Sequence, residues 1–188
     1  MIESHELKNR DRYLKKLIGF QDTESVKVIT GIRRCGKSSL LKLMIRHLRE
    51  TGIGQEQIVE MNFESHDFRS MTSDEVYHYV KERVVPGKRM YLFFDELQRI
   101  DAWEDAVNSF RVDLDCDIYI TGSNAKLLSG ELATYLGGRY VEFVIYPFSF
   151  AEFLELYCPI APDEPVQKAF QKYLLSGGMP YLANLRFA

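Results

Sequence analysis

The sequence predicts an α/β fold of three layers, in which helices cover both faces of a parallel β-sheet. Short runs rich in β-branched and aromatic residues alternate with longer stretches of helical periodicity, as repeated β-α-β units require. An apolar share of 46% and a charged share of 27% over 188 residues are typical of one globular domain with a small appendage. The predicted strands are Val26–Thr30, Gln57–Asn62, Met90–Asp95, Asp117–Thr121 and Tyr140–Tyr146.

A helical stretch follows each of the first four strands. Thr72 with Glu75 has the pattern of a capping box, and Asp101 and Asn124 are predicted N-caps. Two glycines, Gly137 and Gly138, end the last of these helices. The predicted helices are Lys37–Glu50, Ser73–Val84, Asp101–Val112 and Asn124–Leu136.

The fifth predicted strand alternates in part between apolar and polar residues, which favours an edge position in the sheet. A helix is predicted at Leu7–Ile18, and only helical patterns follow Pro147, at Ser149–Tyr157 and Pro165–Leu175. Ser149 with Glu152 is a second capping-box pattern. We therefore divide the chain into a helical segment (1–23), an α/β core (24–147) and a partial helical lid (148–188).

The stretch GIRRCGKS, residues 31–38, fits the pattern Gly-x-x-x-x-Gly-Lys-Ser at the turn between the first strand and the first long helix. Glycines let backbone N–H groups point at phosphate oxygens, and the helix N-terminus adds positive potential. Lys37 is expected to reach the β- and γ-phosphates, and Ser38 to bind Mg²⁺. The residues predicted to contact the nucleotide are Gly31, Arg34, Cys35, Gly36, Lys37, Ser38 and Ser39.

Two residue types in this loop have alternative interpretations. Arg33 and Arg34 add positive potential near the phosphates, contact a neighbouring subunit, or form a solvated loop tip. Cys35 is either an oxidation-sensitive thiol or, as we favour, a small residue that fills space.

Asp95 and Glu96 follow the apolar run Tyr91–Phe94, where a buried strand is predicted to end. Ligands of parallel sheets bind beyond the carboxyl ends of the strands, so both acids are expected to face the phosphate loop. Asp95 is assigned to Mg²⁺, and Glu96 to the general base that activates water. A turn or a helix cap is the alternative for two adjacent acids.

Four further residues are weaker candidates. Ser123 and Asn124, after the fourth strand, either contact the γ-phosphate or the attacking water, or only cap the next helix. Gln98 positions water or contacts a neighbour. Arg139, just before the last strand, is an arginine finger acting in cis or in trans, or a surface residue paired with Glu142.

Composition limits the partners and the compartment. A net charge of −3 indicates no overall attraction to nucleic acid or to an anionic membrane. Three scattered cysteines and four histidines form no disulfide or zinc pattern, which favours a reduced, cytoplasmic setting. We find no signal peptide and no apolar run near the ~18 residues of a membrane span. The basic side chains Lys42, Arg46 and Arg49 form a stripe that could bind nucleic acid. A solvated helix face explains the same stripe.

With these motifs in order, the sequence resembles the AAA-superfamily ATPase domain of a large bacterial and archaeal family whose members carry an uncharacterised C-terminal domain. The resemblance covers nearly the whole chain from Val28 onward. The segments that carry it are GIRRCGKSSLL, FFDELQRIDAW, ITGSNAKLLSGELATYLGGRY, YPFSFAEF and YLLSGGMPYL.

The resemblance implies a Walker A loop at Gly31–Ser38, a Walker B pair at Asp95 and Glu96, and a sensor near Ser123 and Asn124. It implies a P-loop ATPase sheet of the additional-strand class, in the order 5-1-4-3-2. It also implies a C-terminal domain beyond Ala188, and the apolar end of the chain likewise predicts a piece of a longer protein. The aromatic region 140–162 is expected to be core between sheet and lid, with some of it favouring a homo-oligomer.

The leading hypothesis is Mg²⁺-dependent ATP hydrolysis coupled to movement of the lid or a partner domain. The alternative is a nucleotide-gated module that binds protein or nucleic acid and turns over little ATP. A small-molecule kinase is less favoured because the acid pair suits activation of water. A GTPase is less favoured because no Asn-Lys-x-Asp motif occurs.

Overall fold

The structure, a computed structural model, describes residues 8–122 and 136–181. Its centre is a parallel sheet of five strands in the order β2-β3-β4-β1-β5. This is the order that the resemblance implied, and β5 lies at an edge as its alternation predicted. The strands are β1 (Val26–Gly31), β2 (Ile58–Asn62), β3 (Met90–Asp95), β4 (Cys116–Thr121) and β5 (Tyr140–Ile145).

Helices connect the strands and follow the last one. The helix predicted at 124–136 falls on residues outside the described ranges. In the part of the chain that is described, no helix has both the length and the apolar character needed to cross a bilayer. The helices are α1 (Asp11–Ile18), α2 (Lys37–Glu50), α3 (Ser73–Lys81), α4 (Trp103–Asp113), α5 (Phe150–Tyr157) and α6 (Val166–Ser176), with 3₁₀ turns at Gln55–Gln57 and Leu97–Arg99.

Two apolar cores, one on each face of the sheet, account for the three layers. Strand side chains alternate between faces, and both faces are covered, so β1 and β3 are buried along their whole length and β4 along all but its first residue. On one face, Val28, Leu92 and Phe94 pack with residues of α3 and α4. On the other face, Ile29 and Phe93 pack with residues of α1 and α2.

The local signals for helix ends are confirmed at two sites and wrong at two others. Both predicted capping boxes form, at the starts of α3 and α5. Asp101 does not cap α4. The N-cap is Ala102, at φ 53°, because the chain leaves the preceding 3₁₀ turn in a tight bend that buries Ile100 and Trp103 on either side. The helix predicted from Leu7 begins only at Asp11, because Arg10 takes the N-cap position and turns its side chain into the protein.

A close backbone contact joins the segment before α5 to the segment after α6. The amide of Phe148 donates to the carbonyl of Gly178 at 2.6 Å. A Cβ atom on Gly178 would lie 2.1 Å from the carbonyl oxygen of Phe148, so only glycine fits there. Phe153 and Tyr157 are buried, but they pack with Ala169 inside the helical pair α5–α6 rather than between the sheet and the lid as predicted. The domain limits at residues 23 and 147 stay a prediction.

A buried ion pair lies at the amino-terminal end of the sheet. Lys27 on β1 and Asp117 on β4 pair with no exposure of either side chain. The carboxylate also accepts hydrogen bonds from the Tyr119 hydroxyl at 2.9 Å and the Asp22 amide at 2.8 Å. Burial lowers the pKa of Lys27, and the neighbouring Asp117 acts against that shift. Each charge is thus tolerated only because the other is present.

Replacing Asp117 by Asn is expected to lower the free energy of unfolding by about 3–5 kcal/mol, because the Lys27 ammonium loses its counter-charge in a buried site. Urea unfolding followed by circular dichroism measures the change. Asp115→Asn is the matched control, since its side chain is 70% exposed, and it should change stability by less than about 0.5 kcal/mol. An Asp117→Asn variant as stable as the parent would contradict this view of the pair.

Candidate functional site

The phosphate loop runs from the end of β1 to the start of α2. Gly31 has φ 148°, and a Cβ atom there would lie 2.3 Å from the carbonyl oxygen of Ile145 on β5. Glycine is therefore required by the close approach of two backbones. Gly36 has φ 104° as the N-cap of α2, where the left-handed backbone rather than lack of space favours glycine.

Lys37 is the first residue of α2, and its side chain is folded back over the loop. Only 4% of the residue is exposed. Its Nζ donates to the carbonyl oxygens of Gly31 at 3.2 Å and Ile32 at 3.3 Å. The same Nζ lies 3.8 Å from Oε1 of Glu96. The structure thus brings together the lysine and the predicted base, from two separate parts of the sequence.

The acid pair is organised by a threonine on the neighbouring strand. The Thr121 hydroxyl donates to Oδ1 of Asp95 and accepts a hydrogen bond from the amide of Glu96 at 3.0 Å. Asp95 is 8% exposed. Its second carboxylate oxygen has no hydrogen-bond donor among the described residues. One oxygen of Asp95 is therefore fixed while the other stays available.

Glu96 adopts φ 57°, which turns its side chain out of the line of β3 toward the loop. Oε2 accepts a hydrogen bond from Nε2 of Gln98 at 2.5 Å. Lys37 and Gln98 therefore engage one carboxylate oxygen each. The Gln98 oxygen Oε1 is buried and, within residues 8–122 and 136–181, has no hydrogen-bond partner. Buried polar atoms without partners are rare and often mark the place of a ligand or water.

The remaining residues predicted in the loop differ in exposure. Ser38 is exposed and Ser39 half-buried. Cys35 is fully buried, and burial raises the pKa of its thiol although the charges of Lys37 and Arg10 oppose the shift. The preferred view of Cys35 as a filler residue is supported, because a buried thiol of raised pKa is poorly reactive.

Arg33 and Arg34 lie at the exposed tip of the loop. Arg33 is 3.8 Å from Glu64, an ion pair between exposed side chains. The guanidinium of Arg34 lies 5.8 Å from the ring centroid of Tyr181, just after α6. The segment after α6 therefore returns to the loop, where Cγ of Pro180 also lies 3.9 Å from the Cβ position of Gly36.

Three of the predicted site residues are not placed at this site by the part of the chain that the structure describes. Ser123 and Asn124 lie outside the described ranges, so their role stays a prediction. Arg139 is exposed and precedes Tyr140, which pairs with Val26 at the amino-terminal end of β1. That is five residues, or about 17 Å, along the strand from Gly31. Arg139 is therefore too far away to act on a nucleotide bound in its own loop.

Two residues at the site, Arg10 and Thr121, were not predicted from the sequence. Arg10 is 3% exposed, and its guanidinium donates to the Cys35 carbonyl at 3.1 Å and the Tyr146 carbonyl at 2.9 Å. It also pairs with both carboxylate oxygens of Glu152, at 2.8 and 3.2 Å. No local pattern separates Arg10 from its basic neighbours Lys8 and Arg12. Thr121, by contrast, could have been found from its place at the end of the strand beside Asp95.

A cavity of about 660 Å³ lies beside Arg10. Its walls are formed by residues 9–13, by the turn after β5 and by the helical pair α5–α6. Its lining mixes charged and aromatic side chains. The residues that line it include Asp11, Arg12, Tyr13, Tyr146, Glu152 and Tyr173.

The arrangement is suited to a polyphosphate and a hard cation. Glycine-rich backbone, a lysine and a helix N-terminus meet at the loop, and all three favour anions. Ser38 and Asp95 supply the hydroxyl and carboxylate oxygens that Mg²⁺ prefers. Within the described ranges no cluster of three or more His, Cys, Asp or Glu could hold a metal alone. Mg²⁺ is usually held by one or two protein groups together with substrate phosphates and water.

Longer proteins of similar sequence exist in bacteria and archaea. The chain is 42% identical over 174 residues to an uncharacterised protein of Haemophilus influenzae, a match that covers 92% of this chain and 44% of that protein. It is 32% identical over 181 residues to an uncharacterised protein of Methanocaldococcus jannaschii, covering 92% and 38%. The chain thus spans less than half the length of these curated relatives.

Solved structures share the fold at low sequence identity. A Walker-type ATPase of Pyrococcus abyssi is 17% identical, with a TM-score of 0.66 over 96% of this chain and 67% of that one. The Orc1 protein of Aeropyrum pernix, solved in complex with DNA, is 14% identical, with a TM-score of 0.66 over 96% and 59%. RuvB of Thermotoga maritima is 16% identical, with a TM-score of 0.60 over 96% and 61%.

The family assignment rests on a longer match than any single motif. The AAA domain family matches residues 23–154, which include the phosphate loop, the acid pair, Thr121 and Glu152. The sheet order and the position of the loop agree with that match. The chain therefore belongs to the AAA domain family.

Proposed function

We propose that this protein binds ATP with Mg²⁺ and hydrolyses it, and that the helical pair α5–α6 responds to the nucleotide. The observation that carries the proposal is the approach of Lys37, at the end of the glycine-bounded loop, to Glu96 after β3, at 3.8 Å. A phosphate-binding cation and a carboxylate able to act on water are the two groups that hydrolysis needs at one place. Membership of the AAA domain family supports the same chemistry.

In this proposal the loop binds the phosphates through its backbone amides and Lys37. In the structure Lys37 donates hydrogen bonds to the carbonyls of Gly31 and Ile32. When a nucleotide binds, Lys37 donates to phosphate oxygens instead. Ser38 and Asp95 would hold Mg²⁺, which would supply neutralisation of the phosphate charge. Thr121 keeps Asp95 oriented through its hydroxyl.

Glu96 is the proposed general base. When Lys37 turns to the phosphates, Oε1 of Glu96 loses its cation and becomes free to accept a proton from water. Gln98 holds the other carboxylate oxygen and so limits the directions in which Glu96 can turn. Ser123 and Asn124 remain proposed sensors of the γ-phosphate, and Arg34 a proposed phosphate contact.

Other partners are proposed more broadly. Because Arg139 lies far from its own loop, an arginine-finger role requires a second copy of the chain, and thus a homo-oligomer. A C-terminal domain in a longer protein and a cytoplasmic location stay predictions. Nucleic acid stays open: Lys42, Arg46 and Arg49 are exposed on α2, but Arg46 is engaged by Asn9 and Glu50.

The alternative is a nucleotide-gated binding module with little turnover. One observation favours it: both carboxylate oxygens of Glu96 are engaged within the protein, by Lys37 and Gln98. Phosphate release measured over many turnovers with MgATP, with and without DNA or RNA, separates the two functions. Release beyond one phosphate per chain supports the ATPase; tight binding with no release supports the binding module.

Replacing Lys37 by Ala is expected to weaken MgATP binding by about 10-fold to 100-fold, because the charge-assisted hydrogen bonds to the phosphates are lost. Isothermal titration calorimetry measures the affinity. Lys42→Ala is the matched control, as an exposed lysine on the same helix, and should bind like the parent. Equal affinity of Lys37→Ala and the parent would exclude the loop as the phosphate site.

Replacing Glu96 by Gln is expected to leave MgATP affinity nearly unchanged while steady-state turnover falls by about 10²-fold to 10⁴-fold, because the amide cannot accept the proton from water. Glu60→Gln, an exposed glutamate on β2, is the control and should retain parental turnover. If the Glu96→Gln protein hydrolyses ATP at the parental rate, the assignment of the base is wrong.

Replacing Thr121 by Val is expected to raise the Mg²⁺ concentration required for half-maximal turnover, because Asp95 loses the hydroxyl that orients it. Magnesium titrations of phosphate release measure the effect. Thr30→Val is the control, because it also loses a hydroxyl-to-carboxylate hydrogen bond, to Glu142. Both variants should lose about 1–2 kcal/mol in free energy of unfolding. A parental magnesium requirement in Thr121→Val would argue against the role of Asp95.

A further inference from the structure

Arg10 connects three separate parts of the structure around the candidate site. Its guanidinium lies against the rings of Tyr13, 4.4 Å from the centroid, and Phe148, at 5.2 Å. Around its edge it meets the phosphate loop, the end of β5 and helix α5. An arginine is costly to bury unless its planar fork is satisfied, and this one is satisfied by backbone carbonyls and a carboxylate.

The contact with the loop fixes one peptide group. Nη1 of Arg10 donates to the carbonyl oxygen of Cys35 at 3.1 Å. In a trans peptide the C=O and the following N–H point in opposite directions. Holding the Cys35 carbonyl toward Arg10 therefore turns the N–H of Gly36 away from Arg10. This amide belongs to the last residue before α2, where backbone N–H groups bind phosphate in loops of this kind.

The contact with α5 is a paired one. Nε and Nη2 of Arg10 donate to the two carboxylate oxygens of Glu152, at 2.8 and 3.2 Å. Glu152 also accepts from the amide of Ser149 at 2.8 Å, as part of the capping box of α5. Burial would raise the pKa of Glu152, but the hydrogen bonds from Arg10 and Ser149 outweigh it and hold the pKa below its ordinary value. The carboxylate is thus bound at once to the start of α5 and to Arg10.

We propose that Arg10 is a positioning residue that orients the Gly36 amide for phosphate binding and, through Glu152, links the state of the phosphate loop to helix α5. The proposal rests on the proposed nucleotide site. It assigns the response of α5–α6 to a specific connection: phosphate on the loop, the Cys35–Gly36 peptide, Arg10, Glu152 and the first turn of α5. If Arg10 only attached the N-terminal segment to the core, its replacement would lower the stability of the fold. It would change neither the affinity for nucleotide nor the response of α5 to nucleotide.

The test uses four variants of the 188-residue chain. Arg10→Met removes the charge and the fork, and Arg10→Lys keeps only the charge. Glu152→Gln retains an oxygen for the cap of α5 but no carboxylate for Arg10. Lys16→Met is the matched control, an exposed cation on α1. Each is compared with the parent for MgADP affinity by calorimetry and for hydrogen exchange of the α5 amides with and without MgADP, under conditions where circular dichroism shows a folded protein.

The expected pattern has two parts. MgADP affinity falls by about tenfold in Arg10→Met and by less in Arg10→Lys, while Lys16→Met binds like the parent. MgADP slows hydrogen exchange in α5 of the parent and of Lys16→Met, and this protection is lost in Glu152→Gln although most of its affinity remains. If Arg10→Met does not fold, Arg10→Lys and Glu152→Gln carry the test.

Parental affinity in the folded Arg10 variants overturns the role in orienting the loop. Protection of α5 that persists in Glu152→Gln overturns the link to the helix. If the parent itself binds no MgADP, the proposed function fails together with this inference, and that result is recognised because it comes from the unaltered chain.

Discussion

The site depends on the order of the strands, which places β4 between β1 and β3. Neighbouring strands lie about 4.8 Å apart, so the loop after β1 and the acids after β3 are separated by about 10 Å of sheet. Because the Lys37 side chain folds back over the loop and Glu96 turns out of its strand, Nζ of Lys37 and Oε1 of Glu96 lie only 3.8 Å apart. Thr121, at the end of β4, occupies the middle of the span and bonds the acid pair. Shifting β4 by one residue would turn Thr121 to the other face and break this connection.

Much of the fold could be predicted because its signals are local. Burial on both faces makes β3 a continuous apolar run, while the half-exposed β5 alternates, so the same rule identifies a central strand and an edge. The phosphate loop and the acid pair were predictable because a turn and a strand end impose their own residue types. Ala102 was not, because the left-handed backbone there results from the burial of Ile100 and Trp103, and nothing in the residue itself signals it.

Arg10 was missed for a different reason. Its main partner, Glu152, is 142 residues away, and its other partners are carbonyl oxygens, which every residue has. No periodicity or spacing can predict such contacts from one sequence. Glu152 itself was singled out, but only for the capping box, because that role depends on a neighbour three residues away. Local roles of a residue are therefore readable from the sequence when its long-range roles are not.

Two lysine–carboxylate pairs at opposite ends of the sheet differ in how completely they are satisfied. Lys27 and Asp117 are sealed from solvent, and Tyr119 and the Asp22 amide complete the hydrogen bonding of the carboxylate. Lys37 and Glu96 stand 3.8 Å apart with Glu96 partly open, next to the partnerless oxygen of Gln98. Lys37 and Glu96 therefore form the more exposed and less fully hydrogen-bonded of the two pairs.

The position of Arg10 also bears on where the folding unit begins. The similarity to the AAA domain family starts at residue 23, after α1 has ended. Yet Leu17 of α1 is fully buried against α2, and Arg10 supplies donors to two carbonyls and a carboxylate inside the matched region. A protein trimmed to the matched boundaries would uncover the apolar side of α2 and leave those acceptors without a donor. Residues that pack against the matched region therefore begin about a dozen positions ahead of the family match, at α1.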